Sequence, residues 1–371
     1  MVEWKKLGEV ANLVRGRVIS KDYIRDFEGE YPVYSSQTAN DGVLGSINSY
    51  MFDGEYLTWT TDGAYAGTIF RRKGKFSITN VCGLIDITCR NIKQDFLYFW
   101  LSKTAKDYVL EGMGNPKLMS NVASTILIPI PSLSEQQRIV GILDTFTSAI
   151  DNLKEQIAQR RKQYEYYCSC FFSTEKWPEN KIGELTKVFS CPRVFKDQWR
   201  DSGVPFWRSS DIMSYHNGVI NPRGEVYISQ SLYDELSSKS DKIKEGDILV
   251  TGGGSIGIPY LKINNSPLFV KDADLICIQK CISIIPKYLY HYFLSTDFKL
   301  YLKKITHDAT IAHYTINQIK DTPIPLPPLK EQQRIVSILD TFEASIQNLE
   351  AQLKQREKQY EYYRNKLLTF E

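Results

Sequence analysis

The chain has little of what most enzymes and most secreted or membrane proteins are built from. Histidine occurs four times, at 216, 291, 307 and 313, and no run approaches the roughly 20 consecutive apolar residues that span a bilayer. The opening Met-Val-Glu-Trp-Lys-Lys lacks the apolar stretch of a signal peptide, so the expected setting is cytoplasmic, with no membrane partner. The seven cysteines, at 82, 89, 168, 170, 191, 277 and 281, are an odd number, and free thiols are expected rather than a disulfide framework. Neither Cys168-x-Cys170 nor Cys277-x3-Cys281 has a suitably placed histidine, so no metal is expected. A net charge of +3 neither demands nor excludes nucleic acid.

Catalytic motifs are equally scarce. Gly252-x-Gly254-x-x-Gly257 follows the strand-like Asp247-Ile-Leu-Val and formally matches a dinucleotide fingerprint, but Pro259 sits where the phosphate-binding helix would form. Asn115-Pro-Lys and Asn221-Pro-Arg are not the Asn-Pro-Pro-aromatic run of an amino-methyltransferase. Glu179-x-Lys181 lies in a linker. No catalytic residue is nominated.

What is present is a repeat. Residues 135–167 recur at 331–363 with a constant offset of 196, and 23 of the 33 positions are identical. Phe146, Ile150, Leu153, Ile157, Arg160, Tyr164 and Tyr167 are spaced alternately four and three, and Phe342, Ile346, Leu349, Leu353, Arg356, Tyr360 and Tyr363 repeat that heptad seam. Each copy is therefore read as a long helix that requires a partner helix. Ser134 with Gln137 reads as a capping box in the first copy, where the second has Lys330. Identity at Gln136, Gln137, Arg138 and Gln163 exceeds what an apolar core stripe requires.

The segments between the helices repeat more weakly: Leu7-Gly-Glu-Val10 answers Ile182-Gly-Glu-Leu185, and Tyr31-Pro-Val-Tyr34 answers Val204-Pro-Phe-Trp207. Short β-rich runs followed by one helix indicate an α+β domain. The expected segments are domains at 1–132 and 176–328 and long helices at 133–175 and 329–371. The copies diverge around 37–50, 58–75 and 211–240, as two modules with different ligands would.

Ile128-Pro-Ile-Pro-Ser-Leu-Ser-Glu-Gln-Gln-Arg-Ile-Val140 and Ile324-Pro-Leu-Pro-Pro-Leu-Lys-Glu-Gln-Gln-Arg-Ile-Val336, set in this duplicated frame, resemble the specificity subunit of a type I restriction-modification enzyme over the whole chain. The resemblance implies two target-recognition domains alternating with two helices paired as an antiparallel coiled coil. Each domain would read one half of a split, asymmetric target in double-stranded DNA, and the helices would set the gap. It also implies assembly with two methyltransferase subunits, which carry the S-adenosylmethionine, and with motor-nuclease subunits. No cofactor is expected on this chain. The alternative is a non-enzymatic coiled-coil scaffold whose domains bind proteins, distinguished by salt-dependent DNA binding.

Bases are read by side chains with fixed donor and acceptor patterns, and phosphates are gripped largely by cations. In the first domain the loop residues nominated as DNA-binding are Arg15, Arg17, Ser35, Ser36, Gln37, Trp59, Thr60, Thr61, Asp62, Tyr65, Arg71, Arg72, Lys75, Asn115 and Lys117. In the second they are Arg193, Arg208, Ser209, Ser210, Asp211, Thr251, Ser255, His307, Thr310, His313 and Tyr314. The basic run Arg71-Arg-Lys-Gly-Lys75 is expected to form a rim facing phosphates. Phe146, Ile150, Leu153, Ile157 and Tyr164 are expected to pair with Phe342, Ile346, Leu349, Leu353 and Tyr360.

Overall fold

The computed structural model of the chain describes residues 2–111, 114–173, 177–219, 221–222, 224–306 and 313–370. It divides into two compact units, Met1–Lys154 with Gln352–Glu371 and Glu155–Ala351. The first unit begins with β1 (Glu3–Lys6), α1 (Leu7–Val10), β2 (Ala11–Arg15), α2 (Lys21–Asp26) and β3 (Glu28–Tyr34). After β4 (Val43–Ile47) come β5 (Phe52–Thr60), β6 (Ile69–Ile78), β7 (Cys82–Ile87), α3 (Gln94–Thr104), α4 (Ser120–Ala123) and β8 (Leu127–Ile130). The long helix α5 (Leu133–Phe172) starts in this unit and finishes in the other.

Six strands form one sheet in the order β2-β7-β5-β6-β3-β4, antiparallel throughout except between β3 and β6. Burial along β5 alternates up to Tyr56 and is then unbroken from Leu57 to Thr60, the change expected where a strand passes from one covered face to two. The second cover is α3, which brings Phe96, Phe99 and Trp100 onto Leu57, Trp59 and Ile85. Gly83 lies under the Trp59 ring, where a Cβ would come within 2.2 Å of the indole. A separate ladder of β1 with β8 ties the start of the unit to the approach of α5.

The second unit repeats this plan with β9 (Glu179–Lys181), α6 (Ile182–Leu185), β10 (Val188–Ser190), β11 (Val204–Trp207), α7 (Ser209–His216), β12 (Tyr227–Ile228) and α8 (Gln230–Lys239). It continues through β13 (Ile248–Thr251), β14 (Pro259–Leu261), β15 (Phe269–Val270), β16 (Leu275–Ile278), α9 (Pro286–Leu294), α10 (Thr296–Ile305), α11 (Ile316–Asp321) and β17 (Pro323–Pro325). The helix α12 (Leu329–Leu367) closes the chain. Here the sheet is split into β10-β16-β13-β14 and β12-β11-β15, with β17 paired to β9 as β8 is to β1. The parallel pair β11 and β15 corresponds to β3 and β6. The helices α7 and α8 fall in the stretch where the two copies of the sequence diverge.

Each long helix is fastened to its own domain by a buried glutamine. Gln136 accepts a hydrogen bond from Lys93 N–H (2.8 Å) and donates to Asn91 O (2.8 Å) and Pro131 O (2.9 Å). Gln332 does the same with Ile285 N–H (2.8 Å), Ser283 O (2.9 Å) and Pro327 O (2.9 Å). One carboxamide thereby satisfies three backbone groups that burial would otherwise leave unpaired. The neighbouring Glu135–Arg138 and Glu331–Arg334 pairs, both at 2.6 Å, brace the first turn. The capping residue is Ser132, whose hydroxyl accepts from Glu135 N–H at 3.3 Å, and not Ser134. Both helices begin two residues earlier than a cap at 134 or 330 allows, and the second has Pro328 at the place of Ser132.

The two helices run antiparallel. In the first unit Phe146 of α5 stacks on Tyr363 of α12, with ring centroids 5.2 Å apart, and Arg356 lies 5.8 Å from the Phe146 ring. In the second unit Phe342 meets Tyr167 at 5.2 Å and Arg160 lies 5.7 Å from the Phe342 ring. Ile150 and Ile157 are buried, while Leu153, Tyr164, Ile346, Leu349, Leu353 and Tyr360 are half-buried, so the seam faces inward as its spacing requires.

Each unit is completed by the tail of the other repeat's helix. Leu368, past the end of α12, is buried among Phe96, Trp100 and Leu143, and Lys103 Nζ donates to Leu368 O at 2.6 Å. Phe172 of α5 is buried in the second unit against Tyr288 (5.2 Å) and Tyr292 (5.5 Å). Leu368→Ala is expected to cost about 2–5 kcal/mol and Phe172→Ala about 3–5 kcal/mol. Hydrogen exchange localises the damage: α3 loses protection in the first variant and α9 in the second.

Candidate functional site

A threonine closes the same loop in both units. In the first, Thr60 accepts from Gly67 N–H through its carbonyl (2.9 Å) and from Thr68 N–H through its hydroxyl (3.0 Å), and the hydroxyl donates to Tyr65 O. In the second, Thr251 takes Gly257 N–H (2.7 Å) and Ile258 N–H (2.8 Å) and donates to Ser255 O (2.5 Å). The next residue in each carries two further matching bonds. Thr61 accepts from Leu118 N–H and donates to Val81 O; Gly252 accepts from Tyr314 N–H and donates to Asp274 O.

Those bonds, with the strand registers of Leu13 against Ile85 and Val188 against Ile278, define equivalent positions. Arg15 answers Ser190, Asp62 answers Gly253, Asn80 answers Ala273 and Lys117 answers His313. The backbone is shared and the chemistry is not.

In the first unit Arg15 Nη2 donates to Asn80 O at 2.5 Å and lies 3.9 Å from Asp62, whose other carboxylate oxygen is 3.7 Å from Lys117 Nζ. Thr61 hydroxyl donates to Asp62 at 2.6 Å. In the second unit Ser190 Oγ accepts Ala273 N–H at 3.1 Å. An open cavity of about 610 Å³ lies there, lined by Ser190, Gly252, Asp272, Ala273, His313 and Tyr314 among others.

The glycine-rich run 252–257 is this loop. Gly254 and Gly257 have φ of +74° and +77°, and the chain continues into strand β14 rather than a helix, so it offers no helix N-terminus to a pyrophosphate.

Arg15, Arg17, Tyr65, Asn115, Lys117, Arg193, Ser255 and His313 are exposed, Asp62 is half-buried, and Arg193 lies over Phe195 at 5.4 Å. Ser35, Ser36 and Gln37 are half-buried, with the Gln37 amide donating to Val43 O. His307 and Thr310 lie outside the described residues.

Other nominated residues are turned inward, which corrects the expectation that they face DNA. Trp59 is buried and donates from Nε1 to Leu118 O at 2.9 Å, and Thr60, Thr61 and Thr251 are buried within the loop clamp. Tyr314 is buried with its hydroxyl bonded to Thr322. Arg208 pairs with Asp211 at 2.9 Å and donates to Gly224 O at 2.6 Å, so both ends of that ion pair serve the start of α7. Ser209 donates to Asp274 O at 2.9 Å and Ser210 accepts from Asn221 at 3.1 Å.

The basic rim is also reassigned. Arg72 is 2% exposed, sandwiched against Tyr34 (3.6 Å) and Phe70 (4.4 Å), and paired with Asp41 at 2.7 Å. Arg71 bridges Asp95 (3.0 Å) on α3 and Asp144 (3.1 Å) on α5 while lying 4.2 Å from the Tyr98 ring. The run lies within strand β6, and its charge in the sequence does not show which carboxylates stand opposite it. Lys73 pairs with Glu55, and Lys75 lies 4.8 Å from the Tyr50 ring.

The second unit holds Asp340, the counterpart of Asp144, differently. His291 is wholly buried, with Nε2 2.9 Å from Asp340 and Nδ1 2.9 Å from Tyr164 hydroxyl, and Lys287 reaches Asp340 at 2.7 Å. Burial opposes ionisation of Asp340, but the His291 and Lys287 hydrogen bonds outweigh it and hold its carboxyl below the usual range. His291, Asp340 and Glu343 come close enough to share a cation, yet both His291 nitrogens are already engaged. Burial pushes the Cys82, Cys168 and Cys191 thiols up to about 12, so they are protonated at neutral pH. No helix among the described residues is long and apolar enough to cross a membrane.

Residues 1–160 and 174–357 match the model of the type I restriction modification DNA specificity domain. A putative type I specificity subunit of Mycoplasma pneumoniae is 32% identical over 378 residues, covering 98% of this chain and 97% of the relative. The chain belongs to the type I restriction-modification DNA specificity family. A putative type I restriction enzyme specificity subunit of Haemophilus influenzae is 33% identical, covering 100% of this chain and 96% of its own. In fold, the chain is similar to the S subunit of a type I restriction-modification system from M. genitalium, with a TM-score of 0.65 at 13% identity over 100% of this chain and 97% of that one. This chain is therefore the DNA sequence-recognition component of a type I restriction-modification complex, and the protein-binding scaffold is not favoured.

Asn80 and Ser190 were not evident from the sequence, since their place beside Arg15 and Ala273 depends on strand register. Because Arg71 is neutralised by two carboxylates, Arg71→Ala is expected to destabilise the docking of α5 without altering the salt dependence of DNA binding. Lys117→Ala is expected to flatten that dependence by about 0.9 log unit for a lost phosphate contact. Binding titrations at several salt concentrations measure both slopes.

Proposed function

We propose that each module reads one half of a bipartite, asymmetric DNA target and that the paired helices set the unread gap between the halves. The observation that carries this is the matched loop: one backbone frame, with Arg15, Asp62 and Lys117 in the first module and Ser190, Gly253 and His313 in the second. Two readers with a common frame and different side chains suit two different half-sites. The chain binds no cofactor and catalyses nothing. Two methyltransferase subunits dock on the helices and supply S-adenosylmethionine, and motor-nuclease subunits complete the complex.

The gap is tested by lengthening the helices. Since each unit is held by the front of one helix and the tail of the other, four residues are inserted in both, between Lys154 and Glu155 and between Ala351 and Gln352. Four residues add about 6 Å and keep the seam nearly in phase. Sequencing of methylated host DNA is expected to show unchanged half-site bases with a gap longer by one to two base pairs. An active complex with the original gap refutes the spacer role.

A further inference from the structure

Arg15 is presented as a reader of base edges rather than as a free cation. Its hydrogen bonds and its ion pair all run through Nη2: to Asn80 O at 2.5 Å, to Thr61 Oγ1 at 3.5 Å and to Asp62 at 3.9 Å. The acid that holds it is itself held, by the Thr61 hydroxyl at 2.6 Å and by Lys117 at 3.7 Å. With both in-plane Nη2 hydrogens engaged, by Asn80 O and by Thr61 Oγ1, the plane of the guanidinium is fixed. The Thr61 bond, at 3.5 Å, is long enough to be exchanged for a base acceptor, and that hydrogen then acts beside a neighbouring N–H as a parallel pair of donors, on a side chain 37% exposed. Of the four base edges in the major groove, only guanine offers two adjacent acceptors, O6 and N7, to such a pair. A phosphate contact needs charge and little orientation; the fixed plane is what base discrimination requires.

We infer that Arg15 is a specificity-determining residue that reads a guanine in the half-site of the first module, with Asp62 and the Asn80 carbonyl as positioning groups. This rests on the reading of that module as a half-site reader. The second module has no such determinant at the equivalent position, where Ser190 turns its hydroxyl to Ala273 N–H.

The test compares methylated motifs made by the full chain assembled with its methyltransferase. Arg15→Ser installs the residue of the other module at an exposed site. It is expected to reduce the preference for guanine at one position of one half-site by about 5- to 150-fold and to leave the other half-site unchanged. Arg15→Lys keeps the charge without the fork, and is expected to lose the same preference while keeping the salt dependence of binding. Asp62→Asn is expected to weaken the preference partially with the same base still chosen and the unfolding midpoint unchanged. If Arg15→Ser leaves both half-sites intact and only flattens the salt slope, Arg15 is a phosphate contact and the inference is overturned. Altered bases in both half-sites overturn it as well. A wild-type complex without a bipartite motif would instead remove the half-site reading on which it rests, and the two failures are distinct.

Discussion

Gln136 and Gln332 sit at the point where an extended chain must turn into a long helix and remain against its domain. Prolines 129 and 131 in the first copy, and 325, 327 and 328 in the second, remove donors from that approach, while the segment before α3 or α9 turns its own N–H and C=O groups inward. A single buried carboxamide satisfies both sides at once. Without it, the start of the helix would rest on apolar contacts, which are non-directional, and the first polar ties to the domain would come two turns later, at Asp144 and Asp340. Everything further along α5 and α12, including which residues meet across the seam, depends on the direction set there.

With the helix fronts fixed, the tails finish the structure. Leu368 enters the first core and Phe172 the second, so neither domain has a complete hydrophobic core from its own repeat alone. This arrangement explains why the repeat extends to Tyr167 and Tyr363: Phe146 with Tyr363 and Phe342 with Tyr167 are one contact made twice. It also couples recognition to architecture, since Arg71 joins the strand β6 to both α3 and α5 through two carboxylates.

The recognition surface shows the opposite economy. The Thr60 and Thr251 clamps give the two loops one backbone while the residues after them differ between the units, and neighbouring positions that also differ converge on each loop from β2 or β10 and from the segment before α4 or α11. On the proposed reading, binding specificity is carried by side chains on a frame whose hydrogen bonds do not depend on them, as expected for modules that share a scaffold and differ in ligand.

The repeat, the heptad seam, the α+β character and the family are legible in the sequence because each rests on local periodicity or on runs of identical residues. Even the role of Gln136 leaves a trace there, as identity at a polar position that no apolar stripe demands. The recognition residues are another matter. Arg72 and Arg71 are as basic in the sequence as Arg15 and Lys117, yet the first is buried against Tyr34 and the second neutralised by Asp95 and Asp144, partners 24 to 73 residues away. Trp59, Thr251 and Tyr314 likewise have the chemistry of readers and the burial of core. Whether a side chain faces ligand or core is decided by strand register and by which residues stand opposite it, and those are properties of long-range pairing that no local pattern encodes.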